Sequence, residues 1–302
     1  MYRVGISCIG GGVGQSVVNS CRLSRLPVKT VGFDTNPFAY GAYDCDLFDY
    51  VPSVSDKNYI DILIDKCKKH DIDLIIPGLD DEILMYARNM EKFENEGIKP
   101  LVSGEELIRL CRDKEKMSLE LNTIANVFVT SYDRDTLTRK SSCDSTIFPL
   151  IAKPRGGSAS KGIQIIHNAD DLDNIHNGHI IQELAVPAKT DPNYAYYLEQ
   201  IEQNKNPQVS EISIQIVTDK NGQLIGEMAS YNRLKDGIPT EVVPIEDNRI
   251  WEVIDELLPH FKELGLRGPL NIQGRLTENG LKIFEMNPRF TGITGLRALM
   301  GF

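Results

Sequence analysis

Over the first third of the chain, short apolar runs are separated by stretches whose apolar positions recur at helical spacing. Val4 to Ile9 reads as a first strand, and a helix follows from about Gly14 to Ser24. Thr30 to Asp34, a helix from about Asn58 to His70, Leu74-Ile75-Ile76-Pro77, a helix from about Asp80 to Asn95 and Lys99-Pro100-Leu101-Val102 continue the alternation. Because a parallel strand pair needs a long crossover, this order predicts an open parallel sheet. A helical stretch from Gly104 to Ala125 carries Asp113-Lys114.

The pattern then changes. From about 126 to 184 short strands flank a glycine loop and end in Ile180-Ile181-Gln182-Glu183-Leu184, which predicts a small subdomain. Residues 187–209, with Pro187, Pro192, Pro207 and the cluster Tyr194, Tyr196, Tyr197, read as an inserted loop holding one helix. Glu211 to Val217 and Leu224 to Tyr231 alternate as strands around Asn221-Gly222, a hairpin signal. A helix from about Asn248 to Leu264 stops at Gly265, and a last hairpin runs from Leu270 to Arg289.

That hairpin places chemistry at alternate positions. Glu285, Asn287 and Arg289 are two apart, so they share one strand face, with Phe284 and Met286 expected on the other. A two-residue Asn279-Gly280 turn would set Gln273 against Met286. A three-residue Glu278-Asn279-Gly280 loop with Gly280 in the left-handed region sets Gln273 opposite Glu285 and Asn271 opposite Asn287. The second register is preferred, since it gathers Gln273, Glu285 and Asn287 into an oxygen-rich cluster suited to magnesium held together with substrate phosphate.

Composition narrows the classes. The chain has 302 residues, 41% apolar and 25% charged, which suits a globular protein of about two domains. A formal net charge of -10 argues against a nucleic-acid partner, whose phosphates call for a basic surface. The N-terminus has no apolar stretch long enough for a signal peptide or membrane span. The six cysteines form no zinc or disulfide pattern and the five histidines no ligand set, so the expected compartment is the cytoplasm. Cys8 lies near a helix start, where a dipole would lower its pKa, but a small buried cysteine is the commoner case.

Two glycine turns remain. Gly10-Gly11-Gly12-Val13-Gly14-Gln15, with Asp34 closing the second strand, invites a dinucleotide reading and hence an NAD(P)-dependent oxidoreductase. Gln15 stands where the third fingerprint glycine belongs, so a tight strand-to-helix turn is preferred. The loop Lys153 to Gly162 is not a P-loop, because Ile163 occupies the required lysine position. As a strand-loop-strand flap, with Gly156, Gly157, Ser158, Ser160 and Gly162, it can still close backbone N–H groups over polyphosphate.

Taken in order, Lys114, this flap, Glu183, Glu211, Gln273 and Phe284-Glu285-Met286-Asn287-Pro288-Arg289 resemble the ATP-grasp superfamily. The nearest likeness is to one synthetase unit of the carbamoyl-phosphate synthase large subunit. The resemblance implies an open-sheet domain over 1–100 that precedes a two-subdomain ATP-grasp domain over 101–302, with a lid at about 126–184. It implies ATP and Mg2+ as cofactors, Mn2+ being an acceptable substitute. Lys114, Lys153 and the flap would contact phosphates, Glu183 and Leu184 the adenine, and Glu211 the ribose. Gln273, Glu285 and Asn287 would hold the metal, and Arg289 would stabilise the transferred phosphoryl group or acyl phosphate. The implied reaction joins a small-molecule carboxylate to an amine or other nucleophile, with ADP and phosphate released; a homo-oligomer is compatible and no membrane is involved. The alternative within the same class is a catalytically silent nucleotide-binding module. Gln273 stands where glutamate is commoner in the superfamily. Arg233 and Lys235 are candidate grips for an acidic substrate, and the chain carries a single unit that stops 13 residues after Arg289.

Overall fold

The structure is a computed structural model that describes residues 1–134, 137, 147–156 and 162–302. The flap positions Gly157, Ser158 and Ser160 lie outside the described residues.

The first sheet is parallel throughout. Its strands β1 (Tyr2–Ser7), β2 (Val28–Asp34), β3 (Leu47–Tyr50), β4 (Leu74–Ile76) and β5 (Lys99–Pro100) lie in the order β3-β2-β1-β4-β5. Successive side chains point to opposite faces, so each face needs its own cover. Helix α1 (Gly12–Leu23) packs Val17 and Val18 with Val4, Ile6 and Ile76. Helices α2 (Tyr59–Lys69), α3 (Asp80–Arg88) and α4 (Met90–Asn95) contribute Leu63, Tyr86 and Phe93 to a second cluster with Val31, Phe33 and Ile75. The helix expected over 80–95 is thus two. Asn89 folds its amide back onto the Met85 carbonyl at 2.9 Å, which ends the first segment. Strand β3 was not expected from the sequence.

The stretch 104–125 also divides. Helix α5 (Glu105–Arg112) ends at Asp113, whose φ of -112° and ψ of 92° leave the helical region. Its carboxylate accepts the Lys116 N–H at 3.1 Å, capping helix α6 (Lys114–Leu121). Lys114 therefore sits at the first turn of a new helix.

Two antiparallel sheets follow. The small one has the order β6-β9-β7-β8, with β6 (Ser131–Tyr132), β7 (Leu150–Pro154), β8 (Gln164–Ile166) and β9 (His179–Glu183). The large one has the order β12-β11-β10-β13-β14, with β10 (Ser210–Thr218), β11 (Leu224–Lys235), β12 (Ile238–Ile245), β13 (Gly268–Thr277) and β14 (Gly280–Asn287). The helix Asn248–Glu263 and helices α5 and α6 pack on one face of the large sheet through Leu257, Phe261, Leu110 and Met117. Strand β12 was not expected, although Asp236-Gly237 marks it. Both residues have positive φ, 53° and 75°, and form the two-residue turn that joins β11 to β12.

The last hairpin has the expected pairing at the site and a different turn. Gln273 lies opposite Glu285 and Asn271 opposite Asn287. The loop, however, has only Glu278 and Asn279 at its tip, because Thr277 pairs with Gly280. Thr277 fixes it, its hydroxyl accepting the Asn279 N–H at 3.1 Å and donating to the Gly280 carbonyl at 2.9 Å. Gly280 has φ of 96°, as the left-handed position requires. One extra residue, Phe284, then bulges out of β14 and restores the register before Glu285. Phe284 consequently does not share a face with Met286. Ile283 and Met286 enter the main core, while Phe284 packs with Val129 and Ala185.

Candidate functional site

Four elements meet over the free face of β13 and β14. Strand β14 supplies Glu285 and Asn287, with Arg289 just beyond it, β13 supplies Asn271 and Gln273, and β10 supplies Glu211 and Ser213. These line a cleft of about 440 Å³ that is closed on one side by Gly12 and Val13 at the start of α1. Glu285 and Asn287 also line an adjoining cavity of about 290 Å³ next to Asp80, Asp81 and Lys114.

Hydrogen bonds tie the cluster together. Gln273 donates its amide N–H to Glu211 at 2.8 Å, Asn232 donates to the other Glu211 oxygen at 3.4 Å, and Asn287 donates to the Gln273 oxygen at 3.3 Å. Glu211 is buried, and burial with the nearby Glu285 charge pushes its carboxyl up against the pull of these donors. Glu211 thus joins the Gln273 end of the site. Among the described residues no three histidine, cysteine or acidic side chains form a metal cluster. The donor set is instead hard oxygen from Glu285, Asn287 and Gln273, with few ligands and room for phosphate beside them, which suits Mg2+. Gln273 would offer its oxygen only after giving up the bond from Asn287.

Two buried lysines approach from different elements. The Lys114 amine lies 3.4 Å from Glu285 Oε1. Lys153, on β7, donates to the Phe284 carbonyl at 3.3 Å and sits 5.7 Å from the Phe284 ring centre. Burial, the charge of Lys114 and that of Arg275 pull its pKa down to about 7, against the opposing effect of Glu285. The root of the flap is fastened to the same place, since Arg155 reaches both oxygens of Asp113 at 3.0 Å and Glu115 at 2.7 Å. Gly156, beside it, is exposed, and Gly162 beyond the undescribed segment has φ of 72°.

Glu183 and Leu184 lie at the other end, in a slot between the two antiparallel sheets. Val129, Ile151, Leu184 and Phe284 give it apolar walls. Glu183 accepts the Thr130 N–H at 2.9 Å and pairs with Lys282 at 3.3 Å. At about 20 Å³ the slot has room for roughly one water.

Arg289 crosses to the first sheet. Its guanidinium pairs with Asp80 through Nε and through Nη2 at 3.2 Å, and donates to the Phe290 carbonyl at 2.9 Å. Arg233 instead reaches Asn193 and Glu241, while its neighbours Asn232 and Leu234 line the cleft, so the grip assigned to Arg233 and Lys235 falls on the wrong side of β11. The first glycine turn is held by Asp34, which accepts the Gly10 N–H at 2.8 Å and the Asn36 N–H at 2.9 Å, leaving the acid committed to the backbone. Cys8 carries no activated thiol: burial, Glu82 and Asp34 push it up to about 11.

Two buttressing arginines escaped the sequence reading. Arg275 continues the β13 alternation two residues past Gln273. It donates to the carbonyls of Ala185 and Ser210, each at 2.7 Å, and stacks 4.7 Å from the Tyr197 ring. Arg297, from the short helix Thr294–Leu299, is fully buried and donates to Ser213 Oγ at 2.9 Å, Gln215 at 3.1 Å and Asn271 at 3.4 Å. Extending the alternation of β13 finds the first; no local pattern marks the second.

A family profile described as ATP-grasp domain matches residues 111–293, and one described as PylC-like, N-terminal domain matches residues 8–101. The chain belongs to the ATP-grasp family. Among solved structures it is similar to N5-carboxyaminoimidazole synthetase from Staphylococcus aureus, at 18% identity over 96% of this chain and 71% of that one, with a TM-score of 0.69. It is also similar to the biotin carboxylase domain of Hydrogenobacter thermophilus 2-oxoglutarate carboxylase, solved with MgADP, ADP and bicarbonate, at 17% identity over 100% and 70%, TM-score 0.67. The L-amino acid ligase from Bacillus licheniformis follows at 14% identity over 98% and 68%, TM-score 0.65. These likenesses show a shared fold. No curated protein is recognisably similar in sequence. Among the described residues no helix is long and apolar enough to cross a membrane.

Proposed function

We propose that this chain is an ATP-dependent ligase that joins a small-molecule carboxylate to an amine or another nucleophile in the cytoplasm, through an acyl phosphate, in the manner of a carbamoyl-phosphate synthase unit. Residues 1–100 form the open-sheet domain that precedes ATP-grasp, 101–302 its ATP-grasp domain and about 126–184 its lid. The observation that carries this reading is that Lys114 pairs with Glu285, Lys153 reaches the neighbouring Phe284 carbonyl, and Arg289 lines the same cleft as Glu285 and Asn287.

Phosphoryl transfer needs little covalent chemistry from a protein and much charge compensation around the moving group. Lys114 and Lys153 meet the phosphates, and a phosphate would take over the Glu285 contact of Lys114. Glu285 and Asn287, with Gln273, would hold Mg2+, or Mn2+ in its place, which when bound would neutralise phosphate charge. Arg289 faces the developing acyl phosphate, with Asp80 fixing its plane. Glu183 and Leu184 border the adenine, and the flap, including Gly157, Ser158 and Ser160, closes over the phosphates to exclude water. The substrate carboxylate then attacks the γ-phosphorus, ADP leaves, and the nucleophile displaces phosphate from the acyl carbon.

ADP release, measured with a panel of carboxylates and amines, tests the reading. The expected result is ADP formation that requires both Mg2+ and a particular carboxylate. ATP binding without ADP release under any pairing would leave a silent nucleotide-binding module. Stabilisation by NAD but not ATP would point to an oxidoreductase.

A further inference from the structure

In the ligase reading the carboxylate substrate lies in the cleft of about 440 Å³ beside the phosphates, so the groups that line this cleft decide which acids fit. Of the described residues that line it, Arg289 alone is cationic, while Glu211 and Glu285 are acidic. Arg289 carries more N–H donors than its bonds to Asp80 and the Phe290 carbonyl use, so it can meet one carboxylate. A second carboxylate would find no cationic side chain and would face the two acids. The floor also changes character across the sheet. In the order β12-β11-β10-β13-β14, Arg289 follows one edge strand. Between the edges Ser213, Asn232 and Asn271 are neutral, and Ser213 donates to Asn271 at 2.9 Å. The far edge is apolar, because Leu234 of β11 and Ile238 and Pro239 of β12 line the cleft on either side of the Asp236-Gly237 turn.

Resting on the ligase reading, we infer that the carboxylate substrate bears a single acid group and an apolar tail, and that Leu234, Ile238 and Pro239 select that tail. The hairpin that carries them is held in place. The Leu234 N–H donates to the Val209 carbonyl at 2.8 Å, and the Thr240 hydroxyl donates to the Arg233 carbonyl at 3.3 Å. Arg233 and Lys235 alternate with Leu234 and fall on the other side, so the hairpin brings apolar groups and no charge to the cleft. An acid with a charged tail would have to give up water against these side chains with nothing to pair it, which is the repulsive half of the selection.

The test measures kcat/KM at saturating MgATP with hydroxylamine present, whose nitrogen displaces phosphate from the acyl carbon to give a hydroxamate; ADP release is followed alongside. The panel pairs straight-chain, branched and aromatic monocarboxylates with dicarboxylates of matching length, for wild type and for the Ile238→Ser and Ile238→Lys variants. Wild type is expected to favour an apolar-tailed monocarboxylate over its matched dicarboxylate by at least about tenfold, the discrimination an apolar wall gives for a missing methylene and less than it gives against a charge. Ile238→Ser should shrink that preference, and Ile238→Lys, which puts a cation at the apolar edge, should shrink it further or reverse it. Ile238 is 66% exposed, so the fold does not depend on it. Thermal melting checks this, and if either variant fails to fold the other carries the comparison. A dicarboxylate used as well as its monocarboxylate partner, or variants that keep the wild-type ratio, would overturn the substrate assignment while leaving the ligase reading intact. No ADP release with any acid in the panel overturns both.

Discussion

Lys153 shows how much a single residue's setting decides. In sequence it is one of many lysines, and most lysines are solvated, so only its place in an ordered set of family motifs marked it. The structure supplies what the sequence could not show: burial and the nearby charges of Lys114 and Arg275 hold its pKa near about 7. Because the unfolded chain would keep the ordinary value of 10.5, it binds the proton more tightly than the fold does. Stability from this group therefore rises with pH between those two values. Bound phosphate reverses the balance by favouring the charged amine. At pH 8, ATP binding is accordingly expected to take up close to one proton, read from calorimetry in two buffers of different ionisation enthalpy. Lys153→Met is expected to abolish that uptake and weaken ATP by roughly 10- to 150-fold, as loss of a charged hydrogen bond does. Equal heats in both buffers would contradict the assignment. Arg297 shows the opposite limit of sequence reading. Its role depends on a short terminal helix folding back under Ser213 and Asn271, a tertiary arrangement that leaves no periodic trace.

At the scale of elements, alternation made the site legible and turn chemistry did not. The pairing of Gln273 with Glu285 followed from requiring the polar groups to gather on one face, and it holds. The loop expected to produce it does not, because Thr277 tightens the turn and Phe284 supplies the missing residue as a bulge. A bulge is invisible to a period-two argument. Helix breaks were missed for a related reason: Asp113 and Asn89 turn the chain by hydrogen-bonding it locally inside stretches with uninterrupted helical spacing. The bulge gives a sharp expectation. Gly274 lies opposite it, and a Cβ there would come within 2.7 Å of the Lys282 carbonyl. Gly274→Ala should push β14 away, lowering stability by about 1–3 kcal/mol in denaturant titration and carrying Glu285 out of position. Unchanged stability and activity would mean that the bulge does not set the site.

The whole molecule joins the two ends of the chain at the cleft. Arg289 pairs with Asp80 of α3, and Ser16 of α1 donates to the Gly292 carbonyl at 2.9 Å and accepts the Gly295 N–H at 2.6 Å. The first sheet is thus a wall of the candidate site, facing the Arg289 end of the hairpin. The division into a parallel sheet and a later antiparallel architecture was legible, since it follows from helix-strand alternation giving way to short strands. The contact between them was not, because Asp80 and Arg289 are 209 residues apart. Across this joint the account rests on one group, Glu285, which faces both cavities and the two lysines. The most direct measurement is calorimetric ATP binding with Mg2+ and with EDTA, for wild type and Glu285→Ala. Wild type should bind markedly tighter with Mg2+, and the variant, folded as judged by its melting transition, should bind equally in both. A Glu285→Ala chain that keeps the full Mg2+ enhancement would contradict the site described.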